Sequence, residues 1–195
     1  MMKTVNSLNA RRSVMANVFD CANFFIDIAI HNEDFDMTNM KLNKLLYFAQ
    51  GTHLSRTGKR LFNNNVQAWT HGPVIPSVYF KYNSYESGPI SKVDDNYSFN
   101  LFSSEERTTL LDVMREMGKY TASTLRNITH MPGSPWSTTF SDKEKRQIPV
   151  DVLRKYFTEH PVNEFRLSGK IPITQALPKD WYDPKEDSVW ESYLK

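Results

Sequence analysis

The sequence predicts a mainly α-helical fold carrying a small β-sheet. Three observations lead there. Apolar residues recur at helical spacing in six separate segments, each with its own start or stop residue. Alternation with period two is confined to short stretches around residues 66–71, 89–93 and 97–101. Aromatic residues make up 13% of the chain while only seven glycines are present, a composition suited to a packed helical core.

The first helix is expected over residues 13–29, with Ser13 as N-cap and Val14, Val18, Cys21, Ala22, Phe25 and Ala29 on one face. Thr38 is placed to cap a second helix that runs through Thr57 and stops at Gly58, with Leu42, Leu45, Leu46, Ala49 and His53 inward. Gly51 lies inside that helix, at about 1 kcal/mol relative to alanine, which anticipates close approach of another backbone. Val66 to His71 then alternate as a strand, ended by Gly72-Pro73, and Pro76 fits the first turn of a third helix whose inner face carries Val78, Tyr79 and Tyr82. Two more strands are expected at 89–93 and 97–101, with Asp94-Asp95 in the hairpin turn between them.

Ser103 and Glu106 form a capping-box pattern opening a helix that buries Leu110, Val113, Met114 and Met117 and ends at Gly118. Thr121 caps the next helix, with Leu125 and Ile128 inward. "MPGSPW" (131–136) reads as a compact turn, and Ile148-Pro149 leads into a last helix through Leu153 and Phe157. Beyond that, Pro161, Pro172, Pro178 and Pro184 forbid a long helix. The organisation expected is a short N-terminal segment (1–12), one domain (13–158) and a proline-punctuated tail (159–195).

Composition restricts the function. The chain has 24 basic and 22 acidic residues for a net charge of +2, which argues against phosphate neutralisation, and so nucleic-acid binding, as its main task. Its one cysteine, Cys21, falls on an apolar helix face and reads as a buried small hydrophobe. No stretch has the length and apolarity of a secretion signal or membrane span, so the cytoplasm is the expected setting. The five histidines (31, 53, 71, 130 and 160) fall in five segments without metal-ligand spacing, so neither a metal nor a cofactor is expected. No nucleophile-and-base pattern or phosphate cradle assembles, and a catalytic residue is not assigned. His130 is the best candidate base, against a structural reading in which it bonds the end of its helix and packs on Trp136. Lys44 and Tyr47 read either as groove-lining groups or as a surface cation and a partnered phenol.

The spaced motifs carry more information together. "KLLY" (44–47), "TG" (57–58) with "LF" (61–62), "AWTHGPVIP" (68–76), and "TH" (129–130) before "PW" (135–136) stand in an order that resembles the signature of the Panacea antitoxin domain family, which includes SocA-like antitoxins and phage-associated GepA-type proteins. The resemblance covers residues 13 to 158. It implies a helical domain with a small sheet that is no enzyme and neutralises a protein toxin by direct binding. Alternatives in the family are an adaptor delivering the toxin to an AAA+ protease, or a phage protein acting on a host factor. Family-motif positions expected to be structural are Lys44, Leu45, Tyr47, Gly58, Trp69, Gly72, Pro73, Pro76, His130 and Trp136. Candidate partner contacts are Trp69, His71, Tyr79 and Tyr82, because aromatic anchors dominate binding hot spots, with Trp181 and Trp190 in the tail. For Trp69 the competing reading is a core residue at the strand–helix junction. The tail aromatics must bury against this domain or against a partner.

Overall fold

The computed structural model describes residues 15–32 and 36–164. The N-terminal segment 1–12 and, from residue 165 onward, the tail with Trp181 and Trp190 lie outside the described residues. Among the described residues the order is α1 (Val18–Ile30), α2 (Asn39–Thr57), β1 (Gln67–Trp69), β2 (Gly72–Val74), α3 (Pro76–Tyr82), α4 (Ser104–Met117), α5 (Ala122–Thr129), α6 (Pro135–Thr139), β3 (Arg146–Gln147) and α7 (Val150–Glu159). The mainly α expectation with a small sheet therefore holds.

The hub is α2. It touches α1, α3, α4, α5, α7 and β2, and every residue from Asn39 to Leu54 is buried. A helix covered on all sides cannot be amphipathic, and its sequence is not: Asn39, Asn43, Lys44, Gln50 and His53 interleave with Leu42, Leu45, Leu46 and Phe48. It begins where Thr38 Oγ1 accepts from Lys41 N–H and ends at Gly58, whose φ of 70° closes the helix in the left-handed conformation.

Gly51 admits a side chain rather than the backbone anticipated. A Cβ built there would sit 2.1 Å from Phe157 Cδ2, so the ring of α7 presses directly onto the axis of α2. The same ring meets Tyr47 and Phe48 edge-on, with centroids 5.3 and 5.9 Å away.

The other helices follow their signals with local corrections. The first starts at Val18 under Asn17, which accepts from Phe19 N–H, and Ser13 lies outside the described residues. Ser103 and Glu106 make both halves of the capping box, and Leu110, Val113, Met114 and Met117 are all buried. The turn after α5 continues into α6, where Ser134 caps and Pro135 takes the first position, so "MPGSPW" is a turn plus a helix start.

The sheet departs further from expectation. Gly72-Pro73 does not end a strand; it opens the return strand β2, with Ala68 opposite Pro73 and Trp69 opposite Gly72, and Thr70-His71 forms the tip. The third strand is β3, which pairs antiparallel with β1 (Ala68 opposite Arg146), giving the order β2-β1-β3. Strands expected at 89–93 and 97–101 are absent from the described residues. Pro89 makes one isolated bridge to Thr38, and Phe99–Leu101 is a single 3-10 turn. Asp94 is not in a hairpin turn: its carboxylate accepts from Asn23 Nδ2 at 2.9 Å and pairs with Lys81, tying this loop to α1 and α3.

Replacing Gly51 with alanine tests the Phe157 contact. Alanine favours the helix by about 1 kcal/mol, but the overlap forces the ring aside at a cost typical of overpacking, about 1–3 kcal/mol. Urea denaturation is expected to show G51A less stable than wild type, with the loss partly recovered when Phe157→Leu is added.

Candidate functional site

The motif positions converge on one region, between α2 and the β1–β2 hairpin. Pro73 and Pro76 lack N–H groups and Gly72 lacks a side chain, so this corner cannot satisfy its own buried main chain. Side chains of α2 do so instead. Lys44 Nζ donates to Pro73 O at 3.0 Å. Asn43 Oδ1 accepts from Ile75 N–H at 2.9 Å, and Asn39 Nδ2 donates to Tyr79 O at 2.9 Å. About two turns further along, Gln50 Oε1 accepts from Leu61 and Phe62 N–H while its Nε2 donates to Phe62 O, which pins the Leu-Phe corner of the motif. Gly72, at φ 109°, lies so close that a Cβ would fall 2.7 Å from Lys44 Cε and 3.0 Å from Thr129 Oγ1.

Lys44 is thus neither a surface cation nor a groove-lining group. It is fully buried, and burial first, then the Arg126 guanidinium, lowers its pKa to about 7. Apart from its place in the motif nothing signals this in the sequence, because lysine is ordinarily the residue of an exposed helix face. Tyr47 is buried too, against Phe48 and Phe157. Its hydroxyl has no hydrogen-bond partner among the described residues, and desolvation raises its pKa.

The second half of the motif closes over the first. Trp136 Nε1 donates to Trp69 O at 2.7 Å, and Ser134 Oγ donates to Thr129 O at 2.6 Å. His130 stacks on Trp136 with centroids 3.5 Å apart, and its two ring nitrogens approach Arg126 O at 2.7 Å and Thr70 O at 3.3 Å. Only an imidazolium can donate to both carbonyls. Burial, with the nearby Arg126 and Lys44 cations, outweighs that pull and lowers the pKa to about 4. The neutral ring therefore donates through Nδ1 to Arg126 O, as the structural reading of His130 anticipated. The hairpin tip is held to the turn after α5 chiefly by the Trp136 bond.

Of the candidate contacts, Trp69, Tyr79 and Tyr82 are buried, at 3%, 3% and 4% exposure. Trp69 and Tyr79 form a second small cluster with Met40, Val74 and Ala122, apart from the main core. Trp69 is therefore the junction residue its competing reading described. His71 is half-buried at the tip, beside exposed Thr70. Reasoning from sequence overlooked Met131, which is 46% exposed in the adjoining turn. An apolar residue between a helix end and Pro132 was the available signal.

The arrangement defines a class: a helical scaffold whose motif polar groups serve its own main chain and brace a ridge made of two turns, 70–71 and 131–133. Comparison with known proteins shows what the chain is similar to. The model of the "Antitoxin SocA-like, Panacea domain" family matches residues 42–137 of this chain. Antitoxin SocA of Caulobacter vibrioides is 35% identical over 112 residues, covering 53% of this chain and 60% of that protein. The chain thus spans less than two thirds of that relative's length. No solved structure matches it. The packed unit extends beyond the matched stretch on both sides, since α1 precedes it and α7 follows it and both lie on α2. Among the described residues no helix is long and apolar enough to cross a membrane, and no group of three or more His, Cys, Asp and Glu gathers as a metal site.

The buried amine makes stability depend on pH. Lys44 titrates near 7 when folded and near 10.5 when exposed, so between those values the unfolded chain binds more protons and stability rises with pH. Below about pH 7 the cost of burying the charge is fully present. Chemical denaturation from pH 7 to 9.5 is expected to show this rise, and Lys44→Met is expected to flatten it. Equal slopes in the two proteins would place the Lys44 amine outside the apolar interior.

Trp136→Phe isolates the bond to Trp69 O. It keeps the stacking on His130 but leaves a buried carbonyl without its donor, and a loss of about 1–3 kcal/mol by denaturant titration is expected.

Proposed function

We propose that this chain is an antitoxin whose domain binds a protein toxin directly and blocks it, without a cofactor. The observation that carries the reading is the likeness of residues 42–137 to the SocA-like Panacea family, joined by the similarity to a protein named Antitoxin SocA. The geometry supports it in a specific way. Neutralisation by occlusion needs a rigid surface, because loops already fixed in the bound conformation lose less entropy on association. The ridge has that character: Trp136 of α6 bonds the end of β1 just before the hairpin tip, and β2 rests on the Lys44–Pro73 contact.

In this reading the contact residues are Thr70, His71 and Met131 on the ridge, with Trp69 and Tyr79 shaping it from beneath. Tyr82 lies deeper, in the main core. An apolar Met131 flanked by polar groups suits a partner with a small hydrophobic recess, since methionine adapts its shape to what it meets.

Co-expression with the product of the adjacent reading frame tests the proposal. Growth arrest by that product is expected to be relieved by this chain, and the two are expected to copurify. No relief and no copurification would overturn the antitoxin reading. If wild type relieves the arrest and Thr70→Asp/Met131→Asp does so equally well, the ridge is not the contact surface while the antitoxin reading stands.

A further inference from the structure

The outer face of α4 is open around Leu111, which is 46% exposed. Phe99, in the turn before this helix, is 39% exposed and stacks on the buried Phe24 ring with centroids 5.9 Å apart. Arg107 joins the two. Its guanidinium carbon stands 5.5 Å from the Phe99 ring centre, and it precedes Leu111 by one helical turn, hence on the same face. Arg107 has no ion pair among the described residues, and the positions one turn away on either side, Ser103 and Leu111, offer it no carboxylate. Nearby acids are engaged elsewhere: Asp112 and Glu116 pair with Arg56 and Arg115, and Glu106 closes the helix cap. Of the Arg107 nitrogens only Nε is enclosed, and the terminal pair stays open to solvent. An unpaired guanidinium between two exposed apolar side chains suits a segment that brings a carboxylate and aromatic rings together.

The chain itself delivers such a segment to this face. The last described turn, Val162–Glu164, packs on α4 with Val162 buried in the main core, so the chain leaves the domain beside this helix. Further on, "DWYDPKEDSVWESYLK" (180–195) has five carboxylates against two lysines, interleaved with Trp181, Tyr182, Trp190 and Tyr193. Residues 165–179 connect the two, and fifteen residues reach up to about 50 Å. Helix α4 has 14 residues and spans about 21 Å, so all of it is within range. A tether of that length holds the segment at an effective concentration in the millimolar range, which favours its own domain over a second copy.

We propose that residues 180–195 dock on the Phe99–Arg107–Leu111 face of their own domain, with tail aromatics on Phe99 and Leu111 and a tail carboxylate on Arg107. The docked segment supplies the charge partner that α4 lacks at Arg107 and removes both apolar side chains from water. The docking does not rest on the antitoxin reading, and its test requires no toxin.

Cys21 is buried, so a nitroxide attached through Ser188→Cys marks the tail alone. In dilute full-length protein labelled with nitrogen-15, the nitroxide is expected to broaden the amide signals of residues 99–111 selectively. Arg107→Gln/Leu111→Ser and, separately, Trp181→Ala/Trp190→Ala are each expected to weaken that broadening several-fold. The second pair lies outside the folded domain, so its effect is free of any loss of folding. Unchanged broadening in either variant would overturn the proposal. So would broadening spread evenly over the surface or centred on another element, or broadening just as strong when nitroxide and isotope sit on different copies.

Discussion

The structure depends on the bond from Lys44 to the carbonyl of Pro73, deep in the domain. A corner built from Gly-Pro-Val-Ile-Pro turns sharply because its residues give up hydrogen-bonding capacity and side-chain volume, and each buried polar group left unpaired there costs about 1–3 kcal/mol. The remedy is external. Helix α2 places Asn39, Asn43 and Lys44 within about a turn and a half, and together they serve a carbonyl of β2, the N–H of Ile75 and a carbonyl of α3. Gly72 is the complement to this, since any side chain at that position would collide with the Lys44 stem. Hairpin and helix thus specify each other, and the buried amine remains tolerable because its pKa falls to about 7.

A lysine titrating near neutrality beside a histidine also has the outline of a catalytic pair, because depressed amine pKa values accompany Schiff-base and general-base lysines. What distinguishes this pair is the enclosure of Lys44 and the engagement of His130. Lys44 has no exposed surface, Gly72 and Thr129 pack against its end, and His130 is engaged with Arg126 O and stacked on Trp136. The perturbation follows from burial and from neighbouring cations.

Legibility from sequence tracked the range of the interactions involved. Helix caps are local, and Thr38, Gly58, Ser103 with Glu106, and Thr121 were each readable because cap and capped group lie within four residues. The sheet was not. Gly72-Pro73 reads as a strand terminator on local grounds, yet it opens β2, where Lys44 of α2 donates to the carbonyl of Pro73. Strand β3 spans two exposed residues with no alternation to detect, and exists only through its register with β1. Conversely, Tyr97 to Leu101 alternate like a strand but find no neighbour to pair with among the described residues. The site was legible as a string of motifs. The depth of Lys44 was hidden, because a lysine in a helix looks the same whether it faces water or a buried carbonyl.

That concealment bears on how such a domain acquires a partner. The family-motif residues in the hairpin and its cover, namely Lys44, Trp69, Gly72, Pro73 and Trp136, are buried, so their shared presence specifies a scaffold and carries no direct information about a surface. The residues above them, Thr70, His71 and Met131, belong to two short turns, and the hairpin is held from below by side-chain bonds to its main chain. A side chain in such a turn can be exchanged without disturbing the bonds that hold the turn, since those bonds run through Trp69 O and Pro73 O. Shape is therefore supplied by the motif and chemistry by the residues displayed on it, and two chains with the same buried string need not recognise the same protein.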